Sequence, residues 1–157
     1  MKTIQDWYDE YAVSHQNETN KKIHYICVPV IFFSIVGLLM SIPGGFLSNL
    51  GLHNPMIGNW AVIVMIPVLI FYLRLSFPLF LRMLGFSALC IIGNYYLGQA
   101  LPLFATSLII FVLAWIGQFY GHHIEGKKPS FLKDIQFLLI GPAWLMSFIY
   151  KKLKIQF

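Results

Sequence analysis

The sequence predicts an all-α integral membrane protein with four transmembrane helices, an N-terminal interfacial helix and a broken C-terminal helical segment. Of its 157 residues, 58% are hydrophobic and only 11% are charged, whereas a soluble domain is about one quarter charged. No Asp, Glu, Lys or Arg occurs in the 51 residues from Ile23 to Leu73 or in the 42 from Met83 to Ile124. Because one span needs ~20 apolar residues, each stretch has room for two spans.

This composition excludes a soluble enzyme, a disordered chain and a nucleic-acid-binding domain. The net charge of +5 therefore indicates positive residues that flank membrane spans rather than a DNA-binding face. The expected partner is a lipid bilayer, and no nucleic acid is expected. Cys27 and Cys90 both fall in apolar stretches, which favours packing in the core over a disulfide.

Residues 1–22 are predicted to form the interfacial segment. Trp7, Tyr8 and Tyr11 recur near one side of a helix between Thr3 and His15, with acidic residues away from that side. Aromatic residues in this arrangement are typical of a helix at the lipid–water boundary.

Residues 23–119 are predicted to contain the four spans. Turn residues and charges end them: Pro43-Gly44-Gly45 follows the first, Arg74 and Arg82 bracket a tight connection after the second, and a turn at Gly98–Pro102 follows the third. The spans are expected at His24–Ser41, Trp60–Leu73, Met83–Leu97 and Leu103–Phe119.

The last part of the chain is predicted to be a histidine-containing cytoplasmic loop at 120–134, followed by a broken helix and basic tail at 135–157. Gly141-Pro142 interrupts the apolar run there, so the segment either spans or enters the membrane and returns. The whole chain, 1–157, is expected to be one membrane domain.

Basic residues give the orientation. If four spans cross, one face holds the N-terminus and every basic loop residue, and the opposite loops hold none. By the positive-inside rule this face is cytoplasmic, in either a bacterial plasma membrane or the endoplasmic reticulum. The basic residues on it are Lys2, Lys21, Lys22, Arg74, Arg82, Lys127, Lys128 and Lys133.

Four of the five histidines fall on this same face: His15, His24, His122 and His123. Only His53 is assigned to the opposite face. Neutral imidazole is a ligand for Fe, Zn, Cu and Ni, so the pattern predicts a mononuclear metal site, with Glu125 or Glu18 as candidate carboxylate ligands. His123 ranks below His122, because neighbours on a helix point about 100° apart. The competing interpretation is that each imidazole simply lies at the membrane interface.

Two segments resemble the signatures of a small membrane family, the fungal-type 2-hydroxy fatty acid dioxygenases. The first has His15, Asn20, His24 and Pro29 at the family's spacing. The second runs from Trp115 to Pro129 and includes Gln118, Gly121, His122 and Glu125. The fungal relatives carry Gly where this chain has His123, and an acidic residue where it has Phe148.

The resemblance implies an Fe(II)-dependent enzyme of fatty acid alpha-oxidation that uses O₂ to cleave long-chain 2-hydroxy fatty acids to acids one carbon shorter. With the histidine pattern, it predicts His15, His24 and His122 as metal ligands and no catalytic residue beyond the ligands. His123 is a weaker fourth candidate, because the Gly at its position in the fungal relatives argues against an essential ligand there. Asn20, Gln118 and Glu125 are candidates for orienting the imidazoles. The residues that could attract the substrate carboxylate are Lys22, Lys127 and Lys128.

Two other functions stay open. A non-catalytic lipid-binding or scaffold protein would need no metal. A small transporter subunit would need polar residues at mid-membrane, and few come near that depth: Ser34, Ser87, Asn94, Thr106 and Ser107.

Overall fold

A computed structural model describes the backbone of residues 3–128 and 137–152, and the side chains as far as residue 147. Across these residues the chain forms seven helices and no strand, which confirms the all-α class. The helices are α1 (Ile4–Ala12), α2 (Glu18–Met40), α3 (Gly45–Asn49), α4 (Trp60–Leu75), α5 (Phe77–Ala100), α6 (Leu103–Glu125) and α7 (Phe137–Lys152).

Three of the described helices, α2, α5 and α6, are long and apolar enough to cross a membrane. This supports association with a membrane. The apolar helix α4 has 16 residues, which corresponds to a length of ~24 Å, less than the ~30 Å hydrocarbon thickness of a typical bilayer. The count of four full spans therefore stays a prediction.

The connection predicted between Arg74 and Arg82 is much shorter in the structure. Only Ser76, in an extended conformation (φ −169°, ψ 132°), separates α4 from α5. Pro78 does not interrupt α5, because it lies in the first helical turn, where a backbone N–H has no partner within the helix.

The helix that contains the fourth predicted span extends beyond Phe119. Helix α6 continues to Glu125, so the beginning of the predicted loop at 120–134 is helical. The helix ends at Gly126, whose positive φ of 69° suits glycine. Gly126 N–H then donates to the His123 carbonyl and Lys127 N–H to the His122 carbonyl, a common way to end a helix. Residues 129–136 and 153–157 lie outside the described residues.

The C-terminal segment is not broken at Gly141-Pro142, because α7 continues through both residues. Gly141 has a packing role instead. A Cβ at this position would lie 3.0 Å from the Tyr11 hydroxyl oxygen, so the missing side chain lets α1 lie close to α7.

The chain divides into two compact units, one comprising residues 1–30 and 113–157 and the other residues 31–112. We call them the terminal unit and the central unit and describe each by itself. The single domain expected over 1–157 stays a prediction.

Small and polar residues bring helices together in the central unit. The Asn94 amide on α5 donates to the carbonyls of Phe33 and Cys90, each at 2.9 Å. Gly37 on α2 leaves room for the side chains of Asn94 and Ser107, which a Cβ would strike. This close approach is typical of helix packing in membranes. It gives Asn94 and Ser107, two of the polar residues expected near mid-membrane, a role in packing.

In the terminal unit, α1 begins with a capping box between Thr3 and Asp6. Its aromatic side packs on α7, with the Trp7 ring 5.3 Å from Phe137 and the Tyr8 hydroxyl donating to the Ala143 carbonyl at 3.0 Å. Trp7 is therefore buried by protein. The position of α1 at the membrane interface stays a prediction.

Candidate metal centre

Three histidines from separate segments of the terminal unit meet in its interior. His15 follows α1, His24 lies in the second turn of α2, and His122 lies in the last turn of α6. Their side chains are 1%, 2% and 6% exposed. One ring nitrogen from each lies within 4.8 Å of the others, and no other metal-binding group of this kind occurs among the described residues.

Backbone hydrogen bonds fix how two of these imidazoles present their nitrogens. His15 Nδ1 lies 2.8 Å from the Tyr11 carbonyl oxygen, and His24 Nδ1 lies 2.9 Å from the Asn20 carbonyl oxygen. Because a carbonyl only accepts, both Nδ1 atoms carry the proton and donate. Each Nε2 is then left with a lone pair that can bind a metal.

The spacing of two of the three nitrogens fits a single transition-metal ion. His24 Nε2 lies 3.2 Å from His122 Nε2, and two nitrogens that bind one ion at ~2.1 Å lie about 3.0–3.4 Å apart in common geometries. His15 Nε2 is buried with no hydrogen-bond partner, which costs ~1–3 kcal/mol unless a ligand uses it. A bound ion would remove that cost. Three imidazoles suit iron, zinc, copper or nickel alike.

Burial also keeps His15 in the form that can bind a metal. Desolvation lowers the pKa of His15 below its usual range, against smaller opposing effects of the Tyr11 carbonyl and the Glu125 carboxylate. The imidazole is therefore neutral at pH 7, and only the neutral form has a lone pair for a metal.

Two aromatic residues enclose His15. The Tyr11 ring stacks on it at 4.1 Å with an interplanar angle of 14°, and the Trp144 ring of α7 lies 5.7 Å away. Sequence reasoning assigned Tyr11 to an interfacial side and did not include Trp144 in the site. Tyr11 lies four residues before His15, and residues at this spacing are neighbours on a helix. This spacing could have predicted the contact between the two rings.

Glu125 holds the loop after His15 and does not join the histidine cluster. Its carboxylate accepts hydrogen bonds from Gln16 N–H, Asn17 N–H and the Asn20 amide, each at 2.9 Å. The other candidate carboxylate, Glu18, is exposed and pairs with Lys21. Both candidates thus have partners other than a metal.

Two buried amides lie beside the cluster. The Asn20 side-chain amide donates to the Ser14 carbonyl and to Glu125, while the backbone carbonyl of Asn20 accepts from His24. The Gln118 side chain is buried one helical turn before His122 and interacts with His24.

The remaining candidates lie outside the cluster. His123 is exposed on the same helix as His122. The Lys127 ammonium group donates to the Val13 carbonyl at 2.7 Å, and Lys128 is exposed. His53, which the sequence placed on the opposite face, is an exposed residue of the central unit.

Two glycines let α6 approach α2 at the site. A Cβ at Gly117 would lie 2.7 Å from Cys27 Sγ, and one at Gly121 would lie 2.5 Å from Asn20 Oδ1. Glycines four residues apart form a flat strip on a helix, which permits close packing in membranes. This approach is what brings His24 and His122 together.

Residues 1–153 match the family described as 2-hydroxy-palmitic acid dioxygenase Mpo1-like. The chain belongs to this family. A curated relative, the 2-hydroxy-palmitic acid dioxygenase MPO1 of Saccharomyces cerevisiae, is 28% identical over 145 residues, which cover 90% of this chain and 76% of the yeast protein. These matches confirm the resemblance seen in the sequence. No solved structure matches.

In this member of the Mpo1-like family, a cavity of about 400 Å³ opens beside His15. His15 and Trp144 are its buried wall, and Gln5, Glu18 and Lys21 lie at its more exposed part. Ligand sites for small molecules typically begin at ~300 Å³, so the volume is sufficient for a polar head group.

The glycine strip gives a testable prediction for this Mpo1-like protein. Gly121→Ala should weaken metal binding, because the added methyl group displaces the side chain of Asn20, the residue whose backbone carbonyl orients His24. A loss of ~10-fold in metal affinity is expected, as for other residues that orient ligands. Metal affinity would be measured by competition with a chelator.

Gly85→Ala is the matched control, because Gly85 lies within α5 and a Cβ there meets nothing within 4 Å. Alanine is the better helix former by ~1 kcal/mol, so this variant should be as stable as the natural protein or more so, with unchanged metal affinity. Equal metal affinity in both variants would contradict the assigned role of Gly121.

Proposed function

We propose that this protein is an Fe(II)-dependent dioxygenase that cleaves long-chain 2-hydroxy fatty acids to acids one carbon shorter. The observation that carries the proposal is the set of three buried imidazoles with inward-facing Nε2 atoms. Membership of a family described as 2-hydroxy-palmitic acid dioxygenase Mpo1-like supports the substrate class. The partners would be the fatty acid, O₂ and the lipid bilayer.

His15, His24 and His122 would hold the iron, and exposed His123 is not needed for this set. When bound, the iron would supply sites for the carboxylate and 2-hydroxyl of the acid and for O₂. The Asn20 backbone carbonyl would orient His24 through its Nδ1 atom, and Gln118 would lie beside the same imidazole. Tyr11 and Trp144 would exclude water from His15, because they cover its ring.

The position of the cluster suits a substrate dissolved in a membrane. His24 lies near the start of α2 and His122 near the end of α6, and both helices are long and apolar enough to span a bilayer. An ion at these helix ends would lie near the membrane surface, where the acid's head group is found while its tail stays in hydrocarbon. We propose that this surface is the cytoplasmic one, of a bacterial plasma membrane or the endoplasmic reticulum.

The proposed reaction needs no external reductant. 2-Hydroxypalmitic acid and O₂ balance as pentadecanoic acid, carbon dioxide and water, with the bond between C1 and C2 broken and all electrons for O₂ supplied by the substrate. We therefore expect pentadecanoic acid to form from 2-hydroxypalmitate in liposomes containing the Fe(II)-loaded protein. Mass spectrometry would detect the product, and an oxygen electrode the consumption of O₂.

Palmitate is the matched control substrate. It has the same tail and carboxylate but lacks the 2-hydroxyl that would share the iron, so its turnover should be far slower. If folded, iron-loaded protein forms no pentadecanoic acid, the dioxygenase proposal fails. Binding of the acid without turnover would then favour a non-catalytic lipid-binding protein.

A further inference from the structure

We propose that Lys21 binds the substrate carboxylate in the cavity beside His15, and that Lys21 is paired with the Glu18 carboxylate until the substrate replaces it. The inference rests on the proposed function, because it assigns the residue that selects an acid at that site. It replaces Lys22, Lys127 and Lys128, the residues that the sequence suggests for this role.

Lys21 is the one cationic residue among the described residues that line this cavity. It lies on α2 three residues before His24, and residues at this spacing are neighbours on a helix surface. Its side chain is 27% exposed, so its charge is less screened than that of a fully solvated lysine. The Lys127 ammonium group is instead held by the Val13 carbonyl.

The charges around the cavity explain why the Glu18 pair would open. Lys21 Nζ lies 2.9 Å from Glu18 Oε1, and the Glu18 side chain is 78% exposed. An ion pair this exposed contributes little to stability, so a second carboxylate can replace Glu18 at low cost. Asp9 also lines the cavity, which leaves the empty site with more negative than positive charge. An incoming acid must therefore displace Glu18 rather than bind beside it.

Binding measurements separate this inference from catalysis. Dissociation constants of 2-hydroxypalmitate and of its methyl ester would be measured by equilibrium dialysis in detergent without O₂. Lys21→Met should weaken binding of the acid ~10-fold, as expected for losing a hydrogen bond to a charged group, and should leave the uncharged ester unaffected. Lys21→Arg should restore most of the affinity. Glu18→Gln should act in the opposite direction and strengthen binding of the acid about 2-fold.

Lys22→Met is the matched control, because Lys22 is an exposed neighbour that does not line the cavity. It should bind the acid like the natural protein. Equal losses in Lys21→Met and Lys22→Met, a loss for the ester as large as for the acid, or weaker binding in Glu18→Gln would each overturn the assignment. If the natural protein binds the acid and these variants behave as expected while no turnover occurs, the carboxylate site stands and the dioxygenase proposal fails alone.

Discussion

Replacing His24 or His122 with alanine is expected to abolish iron binding and activity. The Nε2 atoms of these residues lie 3.2 Å apart, so each would supply one of three bonds to the same ion. Residues that only orient metal ligands typically contribute 10–100-fold to affinity or activity, and loss of a ligand should cost at least ~100-fold. Iron would be counted by mass spectrometry after anaerobic purification, and circular dichroism would check that each variant is folded.

Three further variants make this test specific. His24→Gln keeps a side chain of similar size, so loss of iron from it cannot be attributed to a cavity in the core. His53→Ala and His123→Ala remove exposed imidazoles outside the cluster and should retain iron. Full iron occupancy in a folded His24→Ala or His122→Ala protein would refute the proposed centre.

The class of fold follows from the sequence because hydropathy is a sum over many residues. Helix ends depend on fewer groups, and several of them were predicted wrongly. Gly141-Pro142 indicated a break in the last helix, but α7 continues through it, and Gly141 lies against Tyr11. The pattern of Gly and Pro alone does not distinguish a helix break from a close packing contact.

The candidate site was partly accessible to the same reasoning. Histidines at the ends of two apolar segments predict a cluster once both ends are assigned to one face. The structure brings His15, His24 and His122 together and leaves His123 exposed. The sequence could not assign Glu125, because a carboxylate beside a histidine motif suits a metal ligand as well as an acceptor for backbone N–H groups.

The role of Glu125 as a hydrogen-bond acceptor leads to a second large expected effect. Glu125→Ala should lower metal affinity 10–100-fold, although Glu125 is not among the clustered ligands. Its carboxylate ties the end of α6 to Gln16, Asn17 and Asn20 through three hydrogen bonds of 2.9 Å. Hydrogen bonds to a charged group typically contribute ~1.5–3 kcal/mol. Without them the loop that places His15 loses its attachment to the helix that carries His122.

The conservative variant Glu125→Gln distinguishes this role from direct ligation. A glutamine keeps one acceptor oxygen but loses the charge and the second oxygen, so its metal affinity should fall between those of the natural protein and Glu125→Ala. Glu10→Gln, which changes an exposed carboxylate of α1, is the control and should match the natural protein. If glutamine and alanine at 125 both remove the metal completely while the loop keeps its protection from hydrogen exchange, Glu125 is a ligand. If Glu125 acts through its hydrogen bonds, Glu125→Gln should show an intermediate metal affinity and a less protected loop. The reason is that glutamine keeps only some of the hydrogen bonds that hold the loop after His15.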